Sequence, residues 1–132
     1  MNAALSLLGR AGLALIFLLS GWGKLAGYAA TQQYMESKGL PGALLPLVIA
    51  MELGGGLAVL SGAFTRWAAI ALALFSIASA IVFHANFADP MQATNFWKNL
   101  AMAGGFFVLA AQGPGLASVD AWWSRRRASS TR

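Results

Sequence analysis

PGALLPLVIAMELGGGLAVLSG, residues 41–62, is an apolar run long enough to cross a bilayer, and it carries one acidic residue, Glu52, near its middle. A carboxylate at that depth costs several kcal/mol unless it is paired, protonated or facing water, so the rest of the chain must answer it. Gly54, Gly55 and Gly56 follow directly. They remove side-chain bulk, so that another backbone, a side chain or a small ligand can come close to the carboxylate.

The composition places this segment in a membrane protein. Of the 132 residues, 58% are hydrophobic and 10% charged, against about 25% charged in soluble domains. At about 20 apolar residues per crossing, the length allows about four spans with short connections and one domain, 1–132. The absence of cysteine excludes disulfides, thiol redox chemistry and thiolate metal ligation within the chain. The net charge of +5 is no nucleic-acid signature, because four of the nine cations are Arg125, Arg126, Arg127 and Arg132. They read as a cytoplasmic anchor beside anionic lipid.

Outward from the central run, the first span covers about 4–26. Arg10, Ala14, Phe17, Gly21 and Lys24 recur in it at spacings of four and three, which puts both cations on one face, predicted to look into the bundle. Lys24 follows the apolar stretch at once and further spans come after it, so the segment reads as retained, not as a cleaved signal peptide. Tyr28 to Lys38 is predicted to be a short surface helix, with Thr31 as N-cap and Gly39 as stop. Pro41 punctuates the start of the second span, 42–62, and Pro46 is expected to kink its first turns. The stretch from Ala63 to Arg66 has room only for a tight reversal, so the third span, 67–87, runs antiparallel to the second. Its small residues Ala69, Ala73, Ser76 and Ala80 form a stripe that His84 continues. Asn86 to Thr94 reads as a loop. The fourth span, 95–112, opens with Asn95, Lys98 and Asn99 on one face and ends at Gly113, Pro114 and Gly115. Trp122 and Trp123 suit the headgroup layer ahead of a basic cytoplasmic tail, 117–132. The predicted fold is all-α, an integral membrane four-helix bundle with antiparallel up-down-up-down order.

Four crossings put both termini on one side, which the basic tail assigns to the cytoplasm. Lys24, His84, Asn95, Lys98 and Asn99 then all fall near the external boundary. At about 1.5 Å per residue, Glu52 lies roughly 15 Å below the external edge and Arg10 roughly 9 Å above the cytoplasmic edge. In a hydrocarbon core about 30 Å thick, Arg10 is therefore the expected partner of Glu52, with Lys24 and His84 farther off. Such a pair reads either as a bidentate staple that fixes helix register or as a group handling substrate or protons. His84 reads either as a hydrogen-bonded interfacial residue or as a proton carrier or ligand contact. A single histidine without cysteine argues against a dedicated metal site. Lys24 and Lys98 taken singly would snorkel to lipid phosphate. Together with His84, Asn95 and Asn99 they form a layer suited to an anion or a polar ring substituent, while Trp22, Trp97 and Tyr28 read as an aromatic belt.

Five runs, ALIFLLSGWGKL (14–25), MELGGGL (51–57), FTR (64–66), FHANF (83–87) and NFWKNLAMAGGF (95–106), occur in one order. Together they resemble the DoxX family of small bacterial four-helix membrane proteins over nearly the whole chain, from about Arg10 to Asp120. The resemblance implies an inner-membrane protein, with some members linked to thiosulfate:quinone oxidoreductases as small membrane subunits and others to resistance to oxidative stress. The motif residues that carry over are Arg10, Lys24, Glu52, Arg66, His84, Asn95, Lys98 and Asn99. No appended soluble domain is expected.

On that resemblance, the expected function is a membrane subunit of a quinone- or thiosulfate-linked redox system, with a polar site between helices near the external side. Glu52 and His84 are the expected catalytic residues, and Arg10, Lys24, Asn95, Lys98 and Asn99 the expected substrate-binding residues. His84 or Lys98 would hydrogen-bond a quinone carbonyl or an oxyanion, while Glu52 and Arg10 set the local field or relay a proton. No covalently bound cofactor and no metal is expected; quinone is the candidate cofactor. The expected partners are the lipid bilayer, redox proteins that supply electrons and a second copy of the chain, not nucleic acid. A non-catalytic scaffold or assembly partner is the alternative, and a small transporter would need oligomerisation to make a lumen.

Overall fold

The structure, a computed structural model, describes residues 1–131; Arg132, counted above in the basic tail, lies outside the described residues. The described residues form six α-helices and one 3-10 turn. Helix α1, Asn2–Ala26, buries Arg10, Ala14, Phe17 and Gly21, the stripe that the spacing of four and three predicts. Gly27 interrupts it and also caps α2, Tyr28–Ser37. Thr31 is not the cap expected of it: its hydroxyl donates back to the Gly27 carbonyl at 2.9 Å from inside the helix. A 3-10 turn, Gly42–Leu44, leads into α3, Leu45–Ser61. Pro46 sits in the first turn of α3, where its missing N–H has no intrahelical partner to lose, so it starts the helix and does not kink it.

Helix α4, Thr65–Phe83, ends earlier than the third span was expected to, and His84 is its C-cap, no longer part of the helical stripe. Helix α5, Pro90–Gln112, begins earlier than the expected fourth span. The Asp89-Pro90 pair that read as loop is a helix start: the Asp89 carboxylate accepts from the Met91 amide at 2.9 Å, and Pro90 occupies the first turn. The tail is helical as well, with α6, Val119–Ser130, capped by the Ser118 hydroxyl.

Three helical stretches are long and apolar enough to cross a membrane, Asn2–Ala26, Gly42–Ser61 and Thr65–Phe83. Helix α5 is of similar length, but its first turns carry Gln92, Asn95, Lys98 and Asn99. Helix α1 packs along α3 and α4 along α5, and the two pairs join where α3 meets α4; α1 and α5 approach each other sparingly. Ala14, Phe17, Val59, Leu72, Ala73, Ala103 and Phe106 fill the centre. Met35, Leu45 and Ile49 form a second cluster under α2.

The glycines after Glu52 serve this packing. A Cβ on Gly55 would lie 2.9 Å from a Leu72 methyl on α4, and one on Gly56 would lie 2.9 Å from a Leu18 methyl on α1. Gly54 alone faces open space. The triplet therefore lets α3 sit tightly between two neighbours, as small residues do in helix pairs without a hydrophobic driving force.

Candidate functional site

Residues of α1 to α5 enclose a cavity of about 400 Å³. Its walls are mostly apolar, from Ile16, Phe17, Val48, Phe75, Val82 and Met102, with polar groups contributed by Ser20, Lys24, Glu52, Ser79, His84 and Asn99. Toward the N-terminal half of α1 it is closed by Phe17, whose ring meets those of Phe75 and Phe106 edge-on at 6.2 and 5.5 Å. Helix α2 adds Thr31, Tyr34 and Met35, and the Tyr34 ring stacks on Phe83 at 5.5 Å.

The partner of Glu52 is Lys24, not Arg10. The Lys24 ammonium donates to both carboxylate oxygens, at 2.8 and 3.0 Å. The Glu52 side chain is 4% exposed and that of Lys24 27%, so the carboxylate is desolvated while the lysine still reaches the outside. One physical reason reverses the expected pairing. Side chains lean toward the N-terminus of their own helix. On α1 both cations lean the same way, Lys24 toward the interior and Arg10 out of it, while Glu52 on the neighbouring α3 leans toward Lys24. Gly21 allows the contact: a Cβ there would stand 2.7 Å from Leu53 Cγ and 3.3 Å from Glu52 Cβ, so only glycine lets α1 lie against α3 one turn before Lys24.

His84 Nδ1 lies 2.6 Å from the Gln92 side-chain oxygen. An amide oxygen only accepts, so Nδ1 is the donor and Nε2 is left to face other partners. Gln92 was not anticipated; its signal is Asp89-Pro90, which as a helix start puts Gln92 in the first turn of α5. Asn99, Ser20 and Ser79 line the cavity, and among the described residues their side chains have no hydrogen-bond partner. Asn95 is half-buried and Lys98 exposed, and neither lines the cavity. The predicted external layer therefore divides, with Lys24, His84 and Asn99 joining Glu52 and the other two outside. Among the described residues, no three histidine, cysteine or acidic side chains are grouped as a metal would need.

Arg10 lies at the other end of the helices, 1% exposed. One guanidinium nitrogen donates to the Leu60 carbonyl at 3.1 Å and the Val59 carbonyl at 3.4 Å, and the other donates to the Ala117 carbonyl. The α3 carbonyls carry the negative end of the helix dipole, which a guanidinium complements. Gly62 ends α3 in the left-handed conformation (φ 73°), and a side chain there would run into Arg10 and Ser118. Asp120 completes this end and was also missed as a functional contact. Its two carboxylate oxygens accept from the Phe64 and Thr65 amides at 2.8 and 3.0 Å, and its own amide donates to the Gly62 carbonyl at 2.9 Å. The available signal is negative: α4 opens after Phe64, which has no capping side chain of its own, so the cap must come from elsewhere.

With this geometry in place, the comparisons with known proteins are specific. The sequence profile of the DoxX family matches residues 5–85, the stretch holding Arg10, Lys24, Glu52 and His84. The chain is 52% identical over 106 residues to the inner membrane protein YqjF of Escherichia coli (strain K12), covering 80% of this chain and 82% of that protein. It is 36% identical over 123 residues to the inner membrane protein YphA of the same organism, covering 88% of each. No solved structure matches. A profile match over more than half of the chain, and two inner membrane relatives aligned along most of their length, make this chain a DoxX-family inner membrane protein.

Proposed function

We propose that this protein is a small membrane subunit of a quinone-linked redox system, crossing the bilayer four times as an antiparallel bundle with both termini in the cytoplasm. In support of the topology, α5 is 23 residues long, enough for a core of about 30 Å when its polar first turns lie at the interface. Arg125, Arg126 and Arg127, on α6 after that helix in the chain, favour the cytoplasm for the C-terminus.

The observation that carries the functional reading is the cavity of about 400 Å³ with an ion pair in one wall whose carboxylate is buried. Its size falls within the range of about 300–1,000 Å³ of small-molecule sites, and mostly apolar walls with a few convergent polar groups are what such sites use. A quinone ring suits that chemistry, with aromatic and aliphatic walls for the ring and tail, and Lys24, His84 and Asn99 for its oxygens. Thiosulfate suits it less, because the one cation in the cavity is already neutralised by Glu52. A bound quinone would supply two-electron, two-proton chemistry, with electrons delivered by a redox partner protein. The chain's own part is positional and protonic. Lys24 and Asn99 orient a ring oxygen, the Phe17 cluster excludes water, and the Glu52 carboxylate accepts or returns a proton beside Lys24.

Titration of the purified protein in detergent with a short-chain quinone, followed by tryptophan fluorescence, tests the reading. Saturable binding is expected, with Ser79→Trp weakening it at least tenfold by filling the cavity. Absence of saturable binding, or indifference to Ser79→Trp, would sink the proposal. A scaffold role is the second reading, favoured by Arg10, whose contacts all go to backbone carbonyls. It expects Ser79→Trp to alter only stability.

A further inference from the structure

We infer that the groove between the α3–α4 turn and α6 is a binding site for the phosphate of an anionic membrane phospholipid, independent of the cavity above. The groove measures about 490 Å³ and is lined by Phe64, Asp120, Trp123, Ser124, Arg126 and Arg127. It supplies two guanidinium groups, and among the described residues the one ion pair is Lys24 with Glu52, so no described carboxylate pairs with either arginine. The Arg126 guanidinium lies over the Trp122 ring at 4.3 Å, a stacking that leaves its N–H edge free to donate. Fork-shaped donors of this kind match phosphate oxygens.

Asp120 is the one acidic group in the groove, and its oxygens are taken by the Phe64 and Thr65 amides at the start of α4. Its charge is spent on the positive end of a helix, so the groove as a whole presents cations. The same contact builds the apolar wall. Phe64 is held at φ 50° and is 65% exposed, and its ring meets Trp123 edge-on at 5.3 Å. Trp67, one turn further along α4, is also exposed. Apolar surface thus runs from the arginines onto the lipid-facing side of a membrane helix, which fits a phosphate joined to acyl chains better than a soluble phosphate.

The test uses the full chain in detergent, titrated with phosphatidylglycerol or phosphatidylcholine of matched acyl chains and read by native mass spectrometry. Wild-type protein is expected to retain phosphatidylglycerol at least tenfold more tightly. Arg126→Gln and Arg127→Gln should each weaken it about fivefold, the effect of one cation near a charged lipid surface, and Arg125→Gln, outside the groove, less than about twofold. Ser124→Trp, which fills the groove without changing charge, should weaken it about tenfold. Equal losses at all three arginines would mean a diffuse surface potential and overturn the site. So would indifference to Ser124→Trp, or displacement of the lipid by an equal concentration of glycerol phosphate.

Discussion

Lys24→Met and Glu52→Gln cut the same ion pair, yet their costs should differ severalfold. Lys24→Met strands a carboxylate that is 4% exposed among apolar walls, with both oxygens deprived of their donor. Removing one partner of a buried pair costs about 3–5 kcal/mol. Glu52→Gln leaves an ammonium on a side chain 27% exposed, able to swing toward the headgroup layer, and the new amide oxygen still accepts one hydrogen bond. Its cost is about 1–2 kcal/mol. For a chain of this length about 1 kcal/mol moves Tm by roughly 3–4 °C. The expected falls are therefore roughly 10–20 °C for Lys24→Met and roughly 3–8 °C for Glu52→Gln. The double variant removes both charges and should melt above Lys24→Met alone. Helical circular dichroism during thermal unfolding in detergent at neutral pH measures all three. A Glu52→Gln fall as large as that of Lys24→Met, or a double variant whose fall is the sum of the singles, would refute the assignment of a desolvated carboxylate held by one lysine. The double variant also separates roles. If it is stable and no longer binds quinone, the pair belongs to the ligand site; if it is stable and still binds, the pair is a staple.

Gly21→Leu places a Cβ 2.7 Å from Leu53 Cγ; overpacking of this kind costs about 1–3 kcal/mol, and the Lys24–Glu52 coupling measured by double-mutant cycle should shrink with it, whereas an unchanged coupling would show that close approach of α1 and α3 is not what sets the pair. Asp120→Ala removes the acceptor for two amides at the start of α4, at about 1–2 kcal/mol. Its sharper readout is limited trypsinolysis, in which cleavage at Arg125 to Arg127 should accelerate as α6 undocks, and an unchanged cleavage rate would contradict the docking role. Lys98→Ala touches an exposed residue outside the cavity, so Tm should move by no more than the equivalent of about 0.5 kcal/mol and quinone affinity should stay within threefold; a larger loss of affinity would put Lys98 in the site after all.

Much of this molecule is legible before any coordinates. The stripe of Arg10, Ala14, Phe17 and Gly21 is buried as its spacing requires, and the tight reversal between α3 and α4 follows from the few residues available. What sequence reading missed lies where a local signal has two meanings or where a contact is distant along the chain. Asp89-Pro90 is a turn signal and equally a cap followed by a first-turn proline, and only the second meaning brings Gln92 to His84. Asp120 caps a helix that starts more than fifty residues earlier, and nothing near Thr65 says where its missing acceptor will come from. The tail reads as a charged anchor because its arginines dominate its composition, although Ser118 at its start is a good N-cap.

The pairing of Glu52 shows a more general gap, because depth along the membrane is a property of Cα atoms while charges meet at side-chain tips. Lys24 and Arg10 both lean toward the start of α1, and Glu52 leans toward the start of α3, which runs the other way. Two long side chains on antiparallel helices converge when each lies on the C-terminal side of the level where they meet, as Lys24 and Glu52 do. They diverge in the opposite case, as Arg10 and Glu52 do, however similar their depths. The lean that takes Arg10 away from the carboxylate also delivers it to the Val59 and Leu60 carbonyls. Those carbonyls lie at the C-terminal end of α3, where the helix dipole is negative and, among the described residues, the buried guanidinium is held without a direct salt bridge.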